Sequence, residues 1–376
     1  MNIIWFLILI MLPVSAIAYL SWHLWVLLPL ASGWKVAVIA LGILCFLSLF
    51  LDFTGKLDSL PLPLARTLYV VGTSSLIVIL YAVMLFAVLD LGRLLHLVPR
   101  GWLVANWYTT AVCFAVLGGL LAYGKLHYYN KVRVRETLTT SKPLTRDYKI
   151  VMVSDLHLGY HNSRRELARW VDMINAEAPD LVLIGGDIID ISVRPLLEEN
   201  MAEEFHRLQA PVYACLGNHE YYSRLESARR FYEDAGIRLL VDSVAFIEPS
   251  LAIIGRDDHG NRSRARLKDL LNGVPDTAYT IALVHEPYNL EEAERAGVDF
   301  QFSGHTHRGQ VWPVSWITDR LFECSWGSHQ RGATRYYVSS GLGIWGGRFR
   351  IGTQSEFVVA ELKSSADQSC SSTAGK

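Results

Sequence analysis

Charge is spread along this chain in a way that leaves few options for its first third. The 376 residues include 35 Lys and Arg and 36 Asp and Glu, yet only eight of these fall between positions 1 and 124. Helices built from so apolar a segment have no polar face to offer water. Residues 1–124 therefore read as an all-α transmembrane anchor of about four helices. The charged remainder reads as a water-soluble domain with enough chain to bury a core of its own.

Four apolar stretches support that reading, at roughly 3–20 (running on as far as Leu30), 36–51, 67–89 and 102–123. Their lengths suit helices that cross a hydrocarbon layer of about 30 Å. Trp5, Trp22, Trp25, Trp34, Trp102 and Trp107 sit where indole rings would meet headgroups. No charge lies well inside a stretch, which fits a plain anchor better than a transport path. The first stretch lacks a basic leading region and three more follow it, so a cleaved signal peptide is not expected. With both termini inside, Lys56, Arg66, Lys125, Lys131, Arg133 and Arg135 flank the inner side, against Lys35, Arg93 and Arg100 outside. That bias predicts a multi-pass integral membrane protein whose soluble domain is cytoplasmic.

Residues 125–148 are polar and basic and read as a juxtamembrane linker able to meet anionic headgroups of a lipid bilayer. Residues 364–376 are rich in Ser and read as a disordered tail. The five cysteines lie far apart without paired spacing, so no disulfide framework is implied. A net charge of −1 and the lack of a basic stripe argue against nucleic acid as the main partner.

Between linker and tail, residues 149–363 form the second domain, where short apolar runs stop abruptly at polar residues. Tyr148–Val153 reads as a buried strand and stops at Ser154-Asp155-Leu156-His157. A helix over Arg164–Glu177 follows, with Leu167, Trp170, Val171 and Ile174 at helical spacing. Leu181–Ile184 ends at Gly185-Gly186-Asp187, and Val212–Leu216 ends at Gly217-Asn218-His219-Glu220. Ile281–Val284 stops at His285, and Phe300–Phe302 at Ser303-Gly304-His305-Thr306-His307. Alternating strands and helices predict an α/β fold that presents these ends at the carboxyl edge of a sheet.

Taken singly, an Asp-x-His is a turn, Gly-Asp and Asn-His are common turn pairs, and one histidine is an ordinary core or surface residue. Taken together they are harder to dismiss, because five of the twelve histidines fall on these strand ends in order. Oxygen and imidazole donors suit Mn, Fe, Zn or Co, and the absence of Cys among them argues against a thiolate zinc site.

The ordered set Asp155-x-His157, Gly186-Asp187, Gly217-Asn218-His219-Glu220, His285 and Gly304-His305-Thr306-His307 resembles the five-motif signature of the calcineurin-like metallophosphoesterase superfamily. The match runs from about Lys149 to Leu362. The closing Ser340-Gly-Leu-Gly343, followed by Arg348, Arg350 and Glu356, is similar to the bacterial membrane-associated branch. The resemblance implies a four-layer α/β/β/α sandwich around two divalent metal ions. Asp155, His157 and His307 would ligate the first ion, Asn218, His285 and His305 the second, and Asp187 would bridge them. A water shared by ions about 3.5–4 Å apart is deprotonated near neutral pH and attacks phosphorus in line. His219 is implied as the catalytic residue that contacts the phosphoryl group or protonates the leaving oxygen. Glu220 would orient a histidine through its ring N–H or else lie in solvent. Arg308 stands where related sequences often carry Gly, and would add a phosphate contact or point to solvent.

The expected function is metal-dependent hydrolysis of a phosphomonoester, phosphodiester or pyrophosphate bond. A lipid-linked substrate comes first by virtue of the anchor, a cyclic nucleotide or other soluble phosphodiester second, and a phosphoprotein third. A non-catalytic metal-dependent scaffold or sensor would instead have lost ligands or gained ionisable residues in its spans. Trp312, Trp316 and Trp326 are either loop packing or an apolar lip that meets lipid.

Overall fold

The computed structural model describes residues 3–365. The chain divides into a helical unit that ends at Leu126 and also takes in Gly346–Phe349, and an α/β unit that begins at His127.

The helical unit is built on α1 (Ile3–Leu27), α2 (Ser32–Leu47), α3 (Leu62–Leu94) and α4, which starts at Trp107 and ends at Tyr129. Among the described residues, three segments are long and apolar enough to cross a membrane: Ser32–Asp52, Leu62–Leu94 and Trp107–Tyr129. Gly72 lets α3 approach the end of α2, since a Cβ there would lie 2.6 Å from the Leu49 nitrogen. Close backbone approach through small residues is how helices pack where lipid supplies no hydrophobic drive. α3 outruns the 67–89 stretch and takes in Arg66, Asp90 and Arg93. Asp90 accepts a hydrogen bond from the Tyr19 hydroxyl at 2.7 Å and lies 3.0 Å from His23 Nε2, with Arg93 3.7 Å away. Asp90 and Arg93 are carried because they lie together with Tyr19 and His23 between α1 and the end of α3.

The α/β unit holds two mixed sheets. One has the order β1 (Lys131–Thr140), β12 (Ser355–Ser364), β2 (Tyr148–Val153), β3 (Leu181–Ile184), β4 (Val212–Ala214), β5 (Arg238–Leu239). The other runs β10 (Gly327–Arg331), β11 (Thr334–Val338), β9 (Phe300–Ser303), β8 (Tyr279–Leu283), β7 (Leu251–Gly255), β6 (Ser243–Glu248). Successive strand residues point to opposite faces, and the burial follows that rule. Ile150, Met152, Leu181 and Leu183 meet Ile253, Ile281 and Phe300 between the sheets. Val151, Val153, Val182 and Ile184 turn the other way, onto Leu167, Trp170, Val171 and Ile174 of α5 (Arg164–Ala176). The second sheet covers its outer face with Leu267, Leu290 and Ala293. The result is the expected order of helix, sheet, sheet, helix. Strands buried on both faces read as unbroken apolar runs, which is why β2 and β3 were visible in the sequence.

Two boundaries differ from the sequence reading. Residues 131–140 of the expected linker form β1, which pairs in parallel with β12 over ten positions, from Lys131↔Ser355 to Thr140↔Ser364. Leu138 is buried between the sheets, and Arg133 is bound to Glu177 at 2.6 and 2.7 Å. The alternation of basic residues with Val and Leu suits an edge strand with one wet face. Ser364, the first residue of the expected tail, closes β12, and residues 366–376 lie outside the described residues.

Candidate metal centre

β2, β3 and β4 pair in parallel, as do β8 and β9, so the loops after them emerge side by side. Asp155, His157, Asp187, His305 and His307 all adopt left-handed backbone, with φ of 55°, 44°, 53°, 69° and 47°. Such angles are uncommon outside glycine and gather at functional sites. Here they turn the chain sharply after each strand and bring the side chains together.

His157 Nε2 lies 3.0 Å from His307 Nε2, 3.9 Å from Asp155 Oδ1 and 3.7 Å from Asp187 Oδ2. His307 Nε2 is 3.5 Å from Asp155 Oδ1. On the other side of Asp187, His285 Nε2 is 3.0 Å from its Oδ2, and His305 Nδ1 is 2.9 Å from Asn218 Oδ1. Asp187 thus converges with His157 and His219 on one side and with His285 and His305 on the other, and Asp155, His157 and His307 converge beside them. Each group presents converging donor atoms that could hold an ion.

The donor chemistry fits cations. Asp155, His157, Asp187 and His285 are buried, and His285 Nε2 points at the Asp187 carboxylate. Two imidazole nitrogens face each other at 3.0 Å beside a carboxylate. Buried lone pairs in that arrangement are costly until a positive charge lies between them. Burial, aided by the charge on His285, pushes His305 down to about 4. Burial, with His157 and Arg350 beside it, holds His307 well below its ordinary value. Both are neutral imidazoles at pH 7, the form that ligates a metal.

His219 has the opposite electrostatics. Burial alone would lower it, but the carboxylates of Asp187 and Asp190 raise it to about 9. Its Nδ1–H donates to the Asp190 carbonyl at 2.8 Å. Its backbone N–H donates to Asp187 Oδ1 at 3.0 Å.

Glu220 follows neither of its expected roles. It is fully buried and accepts backbone N–H bonds from Gly217 at 2.7 Å, Ile189 at 3.0 Å and Asp187 at 3.2 Å. It ties the loop after β3 to the loop after β4. Arg308 lays its guanidinium 4.3 Å from the centre of the Trp326 ring and 3.9 Å from Asp319. Trp326 is itself packed, with its indole N–H on Glu356 at 3.0 Å.

Asp190 escaped the sequence reading. It is buried, 3.2 Å from His157 Nδ1, 3.4 Å from His219 Nδ1 and 3.7 Å from His161 Nδ1. A carboxylate behind Nδ1 fixes the ring and leaves Nε2 facing the centre. Its trace in the sequence is an acid within the apolar Ile188-Ile189-Asp190-Ile191 run. Arg350, noted only as part of the resemblance, is fully buried. It donates to the His307 carbonyl at 2.7 Å and to the carbonyls of Ser340 and Gly343. The same loop lies on the first motif, where the Leu342 and Gly343 N–H groups donate to the carbonyls of Ser154 and Asp155, each at 3.0 Å. Arg350 therefore joins the His307 loop to the loop that covers Asp155.

The family model for calcineurin-like phosphoesterases matches residues 148–309. The chain is 31% identical over 262 residues to an uncharacterized metallophosphoesterase of Campylobacter jejuni, covering 66% of this chain and 68% of the relative. It is 33% identical over 261 residues to a metallophosphoesterase of Aquifex aeolicus, covering 66% of this chain and 97% of the relative. A Danio rerio transmembrane protein with a metallophosphoesterase domain is 30% identical over 233 residues, covering 57% of this chain and 53% of the relative.

Proposed function

Because this chain belongs to the calcineurin-like metallophosphoesterase family and is a metal-dependent phosphoesterase, we propose how its residues divide the work. Asp155, His157 and His307 hold one divalent ion, Asn218, His285 and His305 a second, and Asp187 both. The observation that carries this reading is that the Asp187 carboxylate converges with His157 on one side and with His285 and His305 on the other. The ions, when bound, supply an activated water and neutralise phosphoryl charge. Mn, Fe, Zn and Co all suit these ligands. His219 supplies the proton to the leaving oxygen, its ring held by Asp190. Asp190 positions the rings of His157 and His219, and Glu220 and Arg350 fix the loops that bear the ligands.

The three apolar segments support a membrane-anchored enzyme, and the Danio rerio relative is named a transmembrane protein. An anchor of about four helices with a cytoplasmic catalytic unit follows from hydropathy and the Lys/Arg bias. The substrate proposed for an enzyme held at a bilayer is a lipid-linked phosphate ester or pyrophosphate. A soluble phosphodiester is the second reading. It is favoured by Tyr288, which is 41% exposed and stacks on Phe322 at 5.0 Å beside His305. An aromatic leaving group could lie on that ring.

The test is a substrate panel on the full-length protein, stripped of metal and then given back single divalent ions. Turnover should vanish on stripping and return with one or more ions. Activity that survives stripping would refute the metal assignment, and preference for a soluble diester over every lipid ester would select the second reading.

A further inference from the structure

Among the described residues, the α/β unit leaves nine large apolar side chains exposed, and four of them fall between Trp312 and Leu321. They are Trp312 (38% exposed), Trp316 (65%), Ile317 (58%) and Leu321 (71%). Soluble proteins scatter such residues singly and seldom gather them. The regular portion of this segment is the helix Val314–Leu321, which begins seven residues after His307. Ser315 faces inward, and Gly309 lies so close to Val314 that a Cβ there would come within 2.6 Å of its backbone. The helix is thus seated on the metal-ligand loop.

Residues 316, 317, 320 and 321 share one helical face. The Trp312 ring meets Trp316 edge-on at 5.3 Å, which extends the apolar surface, and Arg320 is exposed at its side. Indole rings, branched aliphatic side chains and a flanking arginine are the composition of a surface that settles at a lipid–water boundary. The chain's own apolar segments keep it at such a boundary.

We propose that the Trp312–Leu321 face docks on the lipid bilayer and brings the His305–His307 loop to the phosphate of a membrane-embedded ester. This rests on the lipid-substrate reading above and adds the surface that serves it. Trp326, by contrast, is bound to Glu356 and takes no part.

The test uses the full-length protein in phosphatidylcholine vesicles containing phosphatidylglycerol. Trp316→Phe is compared with the wild type for tryptophan quenching by brominated phospholipid. A triple variant, W316A/I317S/L321S, is assayed on a vesicle-borne phospholipid ester and on soluble bis(p-nitrophenyl) phosphate. Docking predicts less quenching in Trp316→Phe. It also predicts a loss of about tenfold or more on the embedded ester, with soluble turnover within about twofold of wild type. Unchanged quenching, or equal loss on both substrates, would overturn the proposal. Cross-links between two copies through Ile317→Cys, in place of quenching, would assign the face to a second copy and overturn it equally. If the wild type cleaves no embedded ester, the lipid-substrate reading fails, while quenching still decides whether the face docks.

Discussion

A Cβ on Gly217 would lie 2.1 Å from Asp187 Oδ1, and one on Gly186 would lie 2.6 Å from His285 Nδ1. The glycines of these motifs are thus required by the ligands that pack over them. Gly217→Ala should displace the Asp187 carboxylate and weaken metal affinity by about 10–100-fold, the range seen when ligand support is lost. Titration calorimetry with Mn or Zn would measure this, and unchanged affinity would refute the packing argument. His219→Ala should behave differently, lowering kcat by about 10²–10⁴-fold with metal content unchanged. Steady-state kinetics and metal analysis on one sample would separate the two effects. The ligands were legible because Asp, Asn and His at strand ends are chemically conspicuous. Asp190 was not, because its value lies in facing the back of His157 and His219, which spacing alone does not reveal. Glu220 was misread for a related reason. It stands next to His219 in sequence, but its carboxylate is turned to three backbone N–H groups.

At the scale of elements, β1 shows how an edge strand hides in a sequence. Lys131, Arg133 and Arg135 alternate with Val132 and Val134, so the start of the strand resembles a basic linker. Its pairing with β12 adds the last strand to the sheet, and Arg133 ties it to Glu177 at the end of α5. The Arg133 hydrogen bonds, supported by Lys149, hold Glu177 down to about 2. A carboxylate depressed in the folded state stabilises fully above its unfolded pKa of about 4.3 and loses that contribution as pH falls towards 2. Glu177→Gln should therefore cost about 1 kcal/mol at pH 7 in this partly exposed pair. The gap between wild type and variant should narrow from pH 5 to pH 3, as read by thermal unfolding. A gap independent of pH would rule out the ion pair as its source. The buried strands β2 and β3 needed no such inference, because residues packed on both faces leave an uninterrupted apolar run.

For the molecule as a whole, the partition of charge separated a helical unit from an α/β unit, and the boundary between them fell near Leu126. Hydropathy located the helices but missed the Asp90 network, since a stretch judged by its apolar centre ends before its polar flank. The layered α/β unit followed from the resemblance, and periodicity alone supported only alternating strands and helices. Within the α/β unit the metal centre turns on Asp187, whose carboxylate converges with His157 on one side and with His285 and His305 on the other. The most direct measurement is the metal content per chain of full-length wild type and Asp187→Asn by plasma mass spectrometry, with hydrolysis of bis(p-nitrophenyl) phosphate on the same samples. A two-ion centre predicts about two ions in the wild type, one or fewer in the variant, and activity reduced by about 10³-fold or more. Two ions and full activity in Asp187→Asn would contradict it.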